Sequence, residues 1–310
     1  MTVVFVVNPR SAGGATGRAM ERIGALARDV FGSEVRIRET ERPMHATDIA
    51  AEEGRTADLI VSVGGDGTAN EVVNGLARLD AAERPALGVL PAGTGCDLVR
   101  SVGMPSDLDA AVRLLRDGER RPTDWMEVEA SSGGETVRRV CINVTGFGMA
   151  GEVVKRANES SKRFGGRVTF AVATARTALA WKSPLTSIDW DGPDGSGSWS
   201  GPLSSVFVAN GHYCGGGMWV GKGGRMDDGV AEMTLLPEMP LSRSISGAPR
   251  LYTGTIGAVK GVVTARVTRV SATCGERPVL VDVDGEQPGS LPVQVRVERH
   301  ALRLVGRWDG

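Results

Sequence analysis

The chain begins with an unbroken apolar run, Val3–Val7, the pattern of a strand buried on both faces. A Gly/Ser/Pro tract from Asn8 to Gly17 reads as a loop. Met20, Ile23, Leu26, Ala27 and Val30 then recur at helical spacing within Arg18 to Val30. Val35–Ile37 predicts a short strand, and Pro43 to Glu53 a helix with proline in its first turn. Leu59–Val63 predicts a third strand running into Gly64-Gly65-Asp66-Gly67-Thr68. Leu87–Leu90 predicts a fourth, running into Pro91-Ala92-Gly93-Thr94-Gly95. Thr68 and Glu71 have the T-x-x-E spacing of a capping box ahead of Val72 and Val73. Strand, glycine loop and helix repeated in this way imply an open parallel α/β sheet, with ligands at the carboxyl ends of its strands.

The pattern changes near Thr123. Trp125–Ala130 and Val137–Val144 predict a hairpin joined by Ser131 to Glu135. Helical spacing follows over about Glu152–Ser161 and Gly166–Trp181. Short runs at Leu185–Trp190, Ser204–Ala209, Val230–Leu236, Val262–Val270, Val279–Val283 and Val293–Glu298 then predict a β-sandwich-like half. Asp191 to Gly201, polar and rich in Gly and Ser, reads as an exposed hairpin tip. The expected division is an α/β domain over 1–124 and a β-rich domain over 125–310, with the tail after about Leu291 packing back on the first.

Composition narrows the function classes. Lys and Arg (36) nearly balance Asp and Glu (37), so no general attraction to nucleic acid is expected. The four cysteines, Cys96, Cys141, Cys214 and Cys274, include no C-x-x-C pair, which argues against a disulfide scaffold or zinc knuckle and fits a reducing, cytoplasmic setting. With only three histidines, acid–base chemistry falls to carboxylates. No secretory signal is read at the start, and no run of about 18 apolar residues exists to span a membrane.

The 43 glycines cluster in loops. Successive backbone N–H groups in such loops, backed by helix N-termini, favour an anionic ligand, and three in register point to phosphate. The G-x-G-x-x-G fingerprint is absent from the first loop. The nearest Walker-like run, Gly216 to Gly223, has glycine where the magnesium-binding hydroxyl belongs, and reads as turn glycines.

Several segments come in a telling order: Asn8-Pro9-Arg10-Ser11-Ala12-Gly13-Gly14; Thr40-Glu41-Arg42 with His45-Ala46-Thr47; Gly64–Thr68 with Asn70-Glu71; and Pro91–Leu98. Further along stand Asn143-Val144 with Gly146-Phe147-Gly148, Asn210-Gly211 with Gly215-Gly216-Gly217-Met218, Asp227-Asp228-Gly229, and Asp284-Gly285-Glu286. Over nearly the whole chain the set resembles the diacylglycerol kinase catalytic-domain family, which includes bacterial lipid kinases and sphingosine kinases. Gly64–Thr68 alone is shared with NAD kinases.

The resemblance implies an ATP- and Mg²⁺-dependent kinase of lipid metabolism that phosphorylates a hydroxyl of diacylglycerol or a sphingoid lipid. It would work in the cytoplasm or peripherally at the inner membrane face, without a nucleic-acid partner, and it admits a homodimer. ATP is expected between the domains, held by Asn8, Pro9, Arg10 and Ser11, by Thr40, by Gly64, Gly65, Asp66, Gly67, Thr68, Asn70 and Glu71, and by Gly93, Thr94 and Asp97. Asp284 is the expected general base, supported by Glu286, with Asp66 and Asp97 in the polar network near the transferred phosphate. Asp228, with backbone carbonyls near Arg225 and Val230, is the expected Mg²⁺ site. Cys96 departs from the Asn usual before the fourth-loop Asp, which weakens any hydrogen-bond role there.

Plainer readings stand beside these. Asp284-Gly285 can be an ordinary hairpin turn, Asp227-Asp228-Gly229 another turn, Asp66 a cap of the following helix, Thr40 a solvated strand end and His212 a structural residue. An NAD kinase and a non-catalytic nucleotide- or lipid-binding module are the competing functions. Seven Lys/Arg against two acids over Gly151 to Lys182, with Phe164, Phe170 and Trp181 among them, suggest a membrane-facing surface or a solvated basic helix pair.

Overall fold

The computed structural model describes residues 1–91, 96–159, 176, 177 and 180–308. They form two units, Met1–Thr123 with His300–Gly310, and Asp124–Arg299. The first contains β1 (Val3–Val7), α1 (Ser11–Arg18), α2 (Met20–Phe31), β2 (Arg36–Glu39), α3 (His45–Glu53), β3 (Leu59–Gly64), α4 (Asp66–Leu76), β4 (Ala86–Pro91), α5 (Asp97–Ser101) and α6 (Leu108–Asp117).

Its strands are all parallel in the order β2–β1–β3–β4. Arg303 and Leu304, near the chain end, add alongside Ala86 and Leu87, also parallel. The apolar run of β1 lies between two strands and every one of its five residues is fully buried, as its continuity requires. At the edge, β2 is charged at every position but Ile37, and its Arg36 and Arg38 both pair with the buried carboxylate of Glu53 on α3. The tract expected as a loop from Asn8 to Gly17 winds into α1 instead. Ala12, Gly13 and Gly14 take left-handed conformations inside it, so it is a kinked coil that periodicity does not reveal.

The second unit opens within β5 (Glu119–Ser132). It continues through β6 (Glu135–Cys141), β7 (Val144–Gly148), α7 (Met149–Glu159), β8 (Leu185–Gly192), β9 (Gly195–Ala209), β10 (Tyr213–Cys214), β11 (Met218–Trp219) and β12 (Ala231–Pro237). Then follow α8 (Leu241–Thr253), a 3-10 turn (Ile256–Ala258), β13 (Val263–Val267), β14 (Arg269–Cys274), β15 (Leu280–Val283) and β16 (Glu286–Gly306). Pairing runs in a closed circuit, β9–β7–β15–β16–β14–β8 and back to β9, with β12 and β13 added beyond β9. Its core includes Met126, Phe147, Ile188, Leu203, Met233 and Val281, all buried.

Three expectations change here. The Asp191–Gly201 tract is mostly paired strand, and only Pro193-Asp194 turn. A Cβ on Gly197 would come within 2.3 Å of the Trp190 ring, so glycine in this tract makes room for an indole rather than marking a loop. The last strand is far longer than Val293–Glu298, and its end, residues 300–306, belongs to the first unit. Helix α8 went unread because Pro249, Gly247 and its serines obscure the apolar spacing. The expected helix Gly166–Trp181 lies for the most part outside the described residues.

Helices α3 and α4 approach so closely that a Cβ on Gly75 would sit 2.3 Å from the Thr47 carbonyl oxygen and 2.8 Å from Ala50 Cβ. Gly75→Val should therefore cost the first unit roughly 1–3 kcal/mol, read as a lower urea midpoint. An unchanged midpoint would mean that the contact is not tight in solution.

Candidate functional site

The loops that follow β1, β2 and β3 each place polar groups at the carboxyl end of the first unit's sheet. Asn8 fixes the first: its amide N–H donates to Val63 O (3.0 Å), its Nδ2 to Thr68 Oγ1 (3.1 Å), and its Oδ1 accepts from the Arg10 amide (3.1 Å). Gly64 is required in this arrangement, since a Cβ there would lie 2.5 Å from Thr68 Oγ1. Thr40, at the end of β2, is buried and donates its amide to Val7 O at 2.8 Å. A concavity of about 200 Å³ is bounded by Asn8, Arg10, Thr40, Arg42, Thr68 and Glu71. Arg42 is tied to Asp48 (2.6 Å), whereas the exposed Arg10 has no carboxylate partner among the described residues.

Glu71 and Asp66 correct two expectations. Thr68 and Glu71 form no capping box, because α4 starts earlier, at Asp66, and Thr68 lies inside its first turn. The Glu71 carboxylate instead accepts the amides of Met44 and Ala46, both at 3.1 Å, and so closes the N-terminus of α3. Asp66 likewise caps a helix other than its own. It accepts from the amides of Asp97 (3.0 Å) and Leu98 (3.2 Å) at the start of α5, and from Cys96 Sγ (3.2 Å). Cys96 thus acts as a hydrogen-bond donor in spite of lacking an amide. Burial, then the adjacent Asp66 charge, push its thiol well above the ordinary value. Burial also raises Asp66 to about 6, with the Asp97 amide opposing the shift and the Asp97 charge adding to it.

Of the other expected residues, Pro9 lies in the turn after β1 and Ser11 opens α1, where its Oγ donates to Asn8 O at 2.8 Å. Gly65 and Gly67 flank Asp66 at the start of α4. Asn70 is buried and accepts from Asn74 Nδ2. Asp97 is buried, with Arg100 3.4 Å away. Gly93 and Thr94 lie outside the described residues.

In the second unit, Asp284 and Gly285 form the two-residue turn between β15 and β16, both at positive φ (50° and 90°), as a type I′ hairpin demands. Asp tolerates this conformation better than most residues. The Asp284 side chain is buried and accepts three successive amides of the turn between β6 and β7. Ile142 N donates to Oδ2 (2.9 Å); Asn143 N and Val144 N donate to Oδ1 (both 3.0 Å), which also lies 3.1 Å from Cys141 Sγ. The turn reading and the functional reading of Asp284 therefore describe the same residue. Glu286, the first residue of β16, is exposed. Backbone donors carry no side-chain signature, so nothing in the sequence singled out Ile142, and Asn143-Val144 stood out only as part of the resemblance, not as amide donors. Asn143 and Asn210 support the same turn: Asn210 donates from Nδ2 to Ile142 O (2.7 Å) and from its amide to Asn143 O (2.9 Å).

The expected magnesium loop does not fit a metal. Asp228 Oδ2 accepts from the Arg266 guanidinium (3.1 Å), Oδ1 accepts from the Val230 amide (3.1 Å), and Arg225 pairs with Asp227. An internal cation thus sits where the ion was expected. Asp124, also unread in the sequence, is fully buried and accepts from Gly229 N (2.6 Å), which fixes the same loop. Among the described residues no three His, Cys, Asp or Glu side chains cluster as a metal site. In the expected basic stretch, Arg156 pairs with Glu152 at 3.1 Å, while Lys162, Arg163, Phe164, Arg167 and Phe170 lie outside the described residues. No described helix is long and apolar enough to cross a membrane.

Comparison with known proteins matches residues 2–128 to the diacylglycerol kinase catalytic domain and residues 143–306 to the YegS C-terminal NAD kinase beta sandwich-like domain. A diacylglycerol kinase of Bacillus subtilis is 29% identical over 270 residues, 84% of each chain. A Pseudomonas aeruginosa protein named "Probable lipid kinase YegS-like" is 28% identical over 312 residues, 97% of this chain and 93% of its own. The crystal structure of a diacylglycerol kinase from Bacillus anthracis superposes with a TM-score of 0.77 at 24% identity, covering 98% of this chain and 96% of that one, and so shares the fold.

The raised value of Asp66 has a signed consequence. Folded Asp66 binds a proton more readily than unfolded, so this residue's contribution to stability falls as pH rises from about 4 to about 6 and is level above that. Against Asp66→Asn, which stays neutral, the wild type should lose ground over this window in urea midpoints measured at each pH. Parallel curves for the two proteins would refute the shift.

Proposed function

From the premise that the chain belongs to the diacylglycerol kinase catalytic-domain family, we propose that it is a lipid kinase that transfers the γ-phosphoryl group of ATP to a hydroxyl of diacylglycerol or a related lipid. The observation that carries the reading is the concavity on the first unit. There Asn8, Thr40 and Thr68 offer hydroxyl and amide groups beside Arg10, a cation with no carboxylate partner among the described residues. Such a set suits a polyphosphate, with a guanidinium for phosphate oxygens and short polar side chains for the sugar.

In this reading ATP supplies the phosphoryl group. Arg10 neutralises phosphate charge, and the Asn8–Thr68 hydrogen bond keeps the first and third loops at a fixed spacing. Asp284 takes the acceptor's proton. The lipid oxygen forms its bond to the γ-phosphorus, the bond to the ADP oxygen breaks, and the hydroxyl proton passes to the carboxylate. Because phosphoryl transfer runs through a loose transition state, the base acts late and chiefly orients the attacking oxygen. The three amides on Asp284 hold its carboxylate in one orientation for that task.

The test is transfer of labelled phosphate from ATP to a panel of lipids in mixed micelles, with NAD as a control acceptor. Wild type should yield one labelled phospholipid, and Asp284→Asn, assayed below its melting temperature, should cut the rate about 10²–10⁴-fold. Arg10→Ala should raise the KM for ATP more than it lowers kcat. Phosphorylated NAD in place of lipid, or full activity in the Asp284 variant of retained stability, would overturn the proposal.

A further inference from the structure

Helix α8 is attached to the second unit along one side only. Gly247 is buried, 3.4 Å by its would-be Cβ from Val259, and Leu251 is half-buried; every other residue of the helix is exposed. An amphipathic surface helix ordinarily turns its apolar stripe to the core. Here Leu241, Ile245, Ala248 and Tyr252 recur at i, i+4, i+7 and i+11, one continuous stripe, and it faces outward. Leu241, Ile245 and Tyr252 are 61%, 65% and 56% exposed. They are half of the large apolar side chains that stand open among the described residues, and they share this single helix.

The charge around the stripe is of one sign. From Met239 to Gly275 the chain has no Asp or Glu, and it has five Arg and Lys. Arg266 is taken up by Asp228 and Glu232. Arg243, Arg250 and Lys260 have no carboxylate partner among the described residues. At about 100° per residue, Arg243 and Arg250 fall on the flank of α8 opposite the stripe. This is the disposition of an interfacial helix, whose apolar side enters the acyl boundary while its cations stay among the phosphates.

We propose that α8 is a membrane-docking surface that inserts Leu241, Ile245 and Tyr252 into the headgroup boundary of an anionic bilayer and sets Arg243, Arg250 and Lys260 on its phosphates. A second copy of the chain is the poorer occupant. A two-fold pairing over this helix covers the apolar stripe but leaves the cations on the opposite flank uncompensated. An anionic lipid surface supplies the missing charge and covers the apolar stripe together. The surface is distinct from the concavity and from Asp284, so it stands independently of the kinase reading.

The experiment is co-sedimentation with sucrose-loaded vesicles of phosphatidylcholine alone and of equimolar phosphatidylcholine and phosphatidylglycerol. Wild type should bind the anionic vesicles, less so as salt rises, and leave the neutral ones largely unbound. Leu241→Glu with Ile245→Glu should weaken binding on the order of tenfold or more. Arg243→Gln and Arg250→Gln should weaken it about fivefold per cation removed. All these side chains are exposed, so melting temperatures should match wild type. Failure of wild type to bind anionic vesicles, or equal binding by every variant, would overturn the proposal. So would a concentration-dependent dimer that Ile245→Glu abolishes and vesicles do not compete. The readout needs no turnover, so a loss here leaves the lipid kinase assay to stand or fall by itself.

Discussion

The arrangement of this protein depends on carboxylates that capture backbone amides far away in sequence. Asp66 holds the start of α5, Glu71 holds the start of α3, and Asp284 holds the turn between β6 and β7. Each bond joins a charged acceptor to an N–H that helix or turn geometry leaves without a partner. Hydrogen bonds to charged groups contribute about 1.5–3 kcal/mol, and a buried N–H left alone costs a comparable amount. The loops at the sheet ends are therefore not independent. Moving one carboxylate releases another segment's backbone.

Asp66 and Asp284 repeat one local design in separate units. Each accepts successive backbone amides, and each also has a cysteine thiol against one oxygen, Cys96 in the first case and Cys141 in the second. Burial, then the neighbouring carboxylate, push both thiols well above their ordinary value, so both remain protonated and donating. A protonated thiol is a small donor that fits where an amide side chain would need more space. Such rigid acceptors suit a reaction in which placement and charge do most of the work, as in phosphoryl transfer.

The elements legible in the sequence were those with strong local patterns. Apolar runs marked β1, β3 and β4, and the glycine tract after β3 fell at the sheet's carboxyl end. The Asp284-Gly285 pair was legible as a turn because its chemistry is local. What was not legible is non-local. Nothing in Thr68-x-x-Glu71 tells that Glu71 reaches back to Met44 and Ala46, and nothing near Asp66 names α5 as the helix it caps. The Gly197–Trp190 contact turned a loop-like tract into strand for the same reason. Asp228 was read as a cation ligand, and the cation it meets is Arg266, 38 positions later. Helix α8 was hidden because Gly247, Pro249, three serines and a threonine dilute its apolar spacing.

The direct test of the capture of amides by carboxylates is hydrogen exchange at Ile142, Asn143 and Val144 in wild type and in Asp284→Ala. Three slowly exchanging amides are expected in the wild type. In the variant those three should exchange roughly tenfold to hundredfold faster, while amides in the paired parts of β9 and β12 keep their protection. Unchanged protection at all three positions would contradict the account.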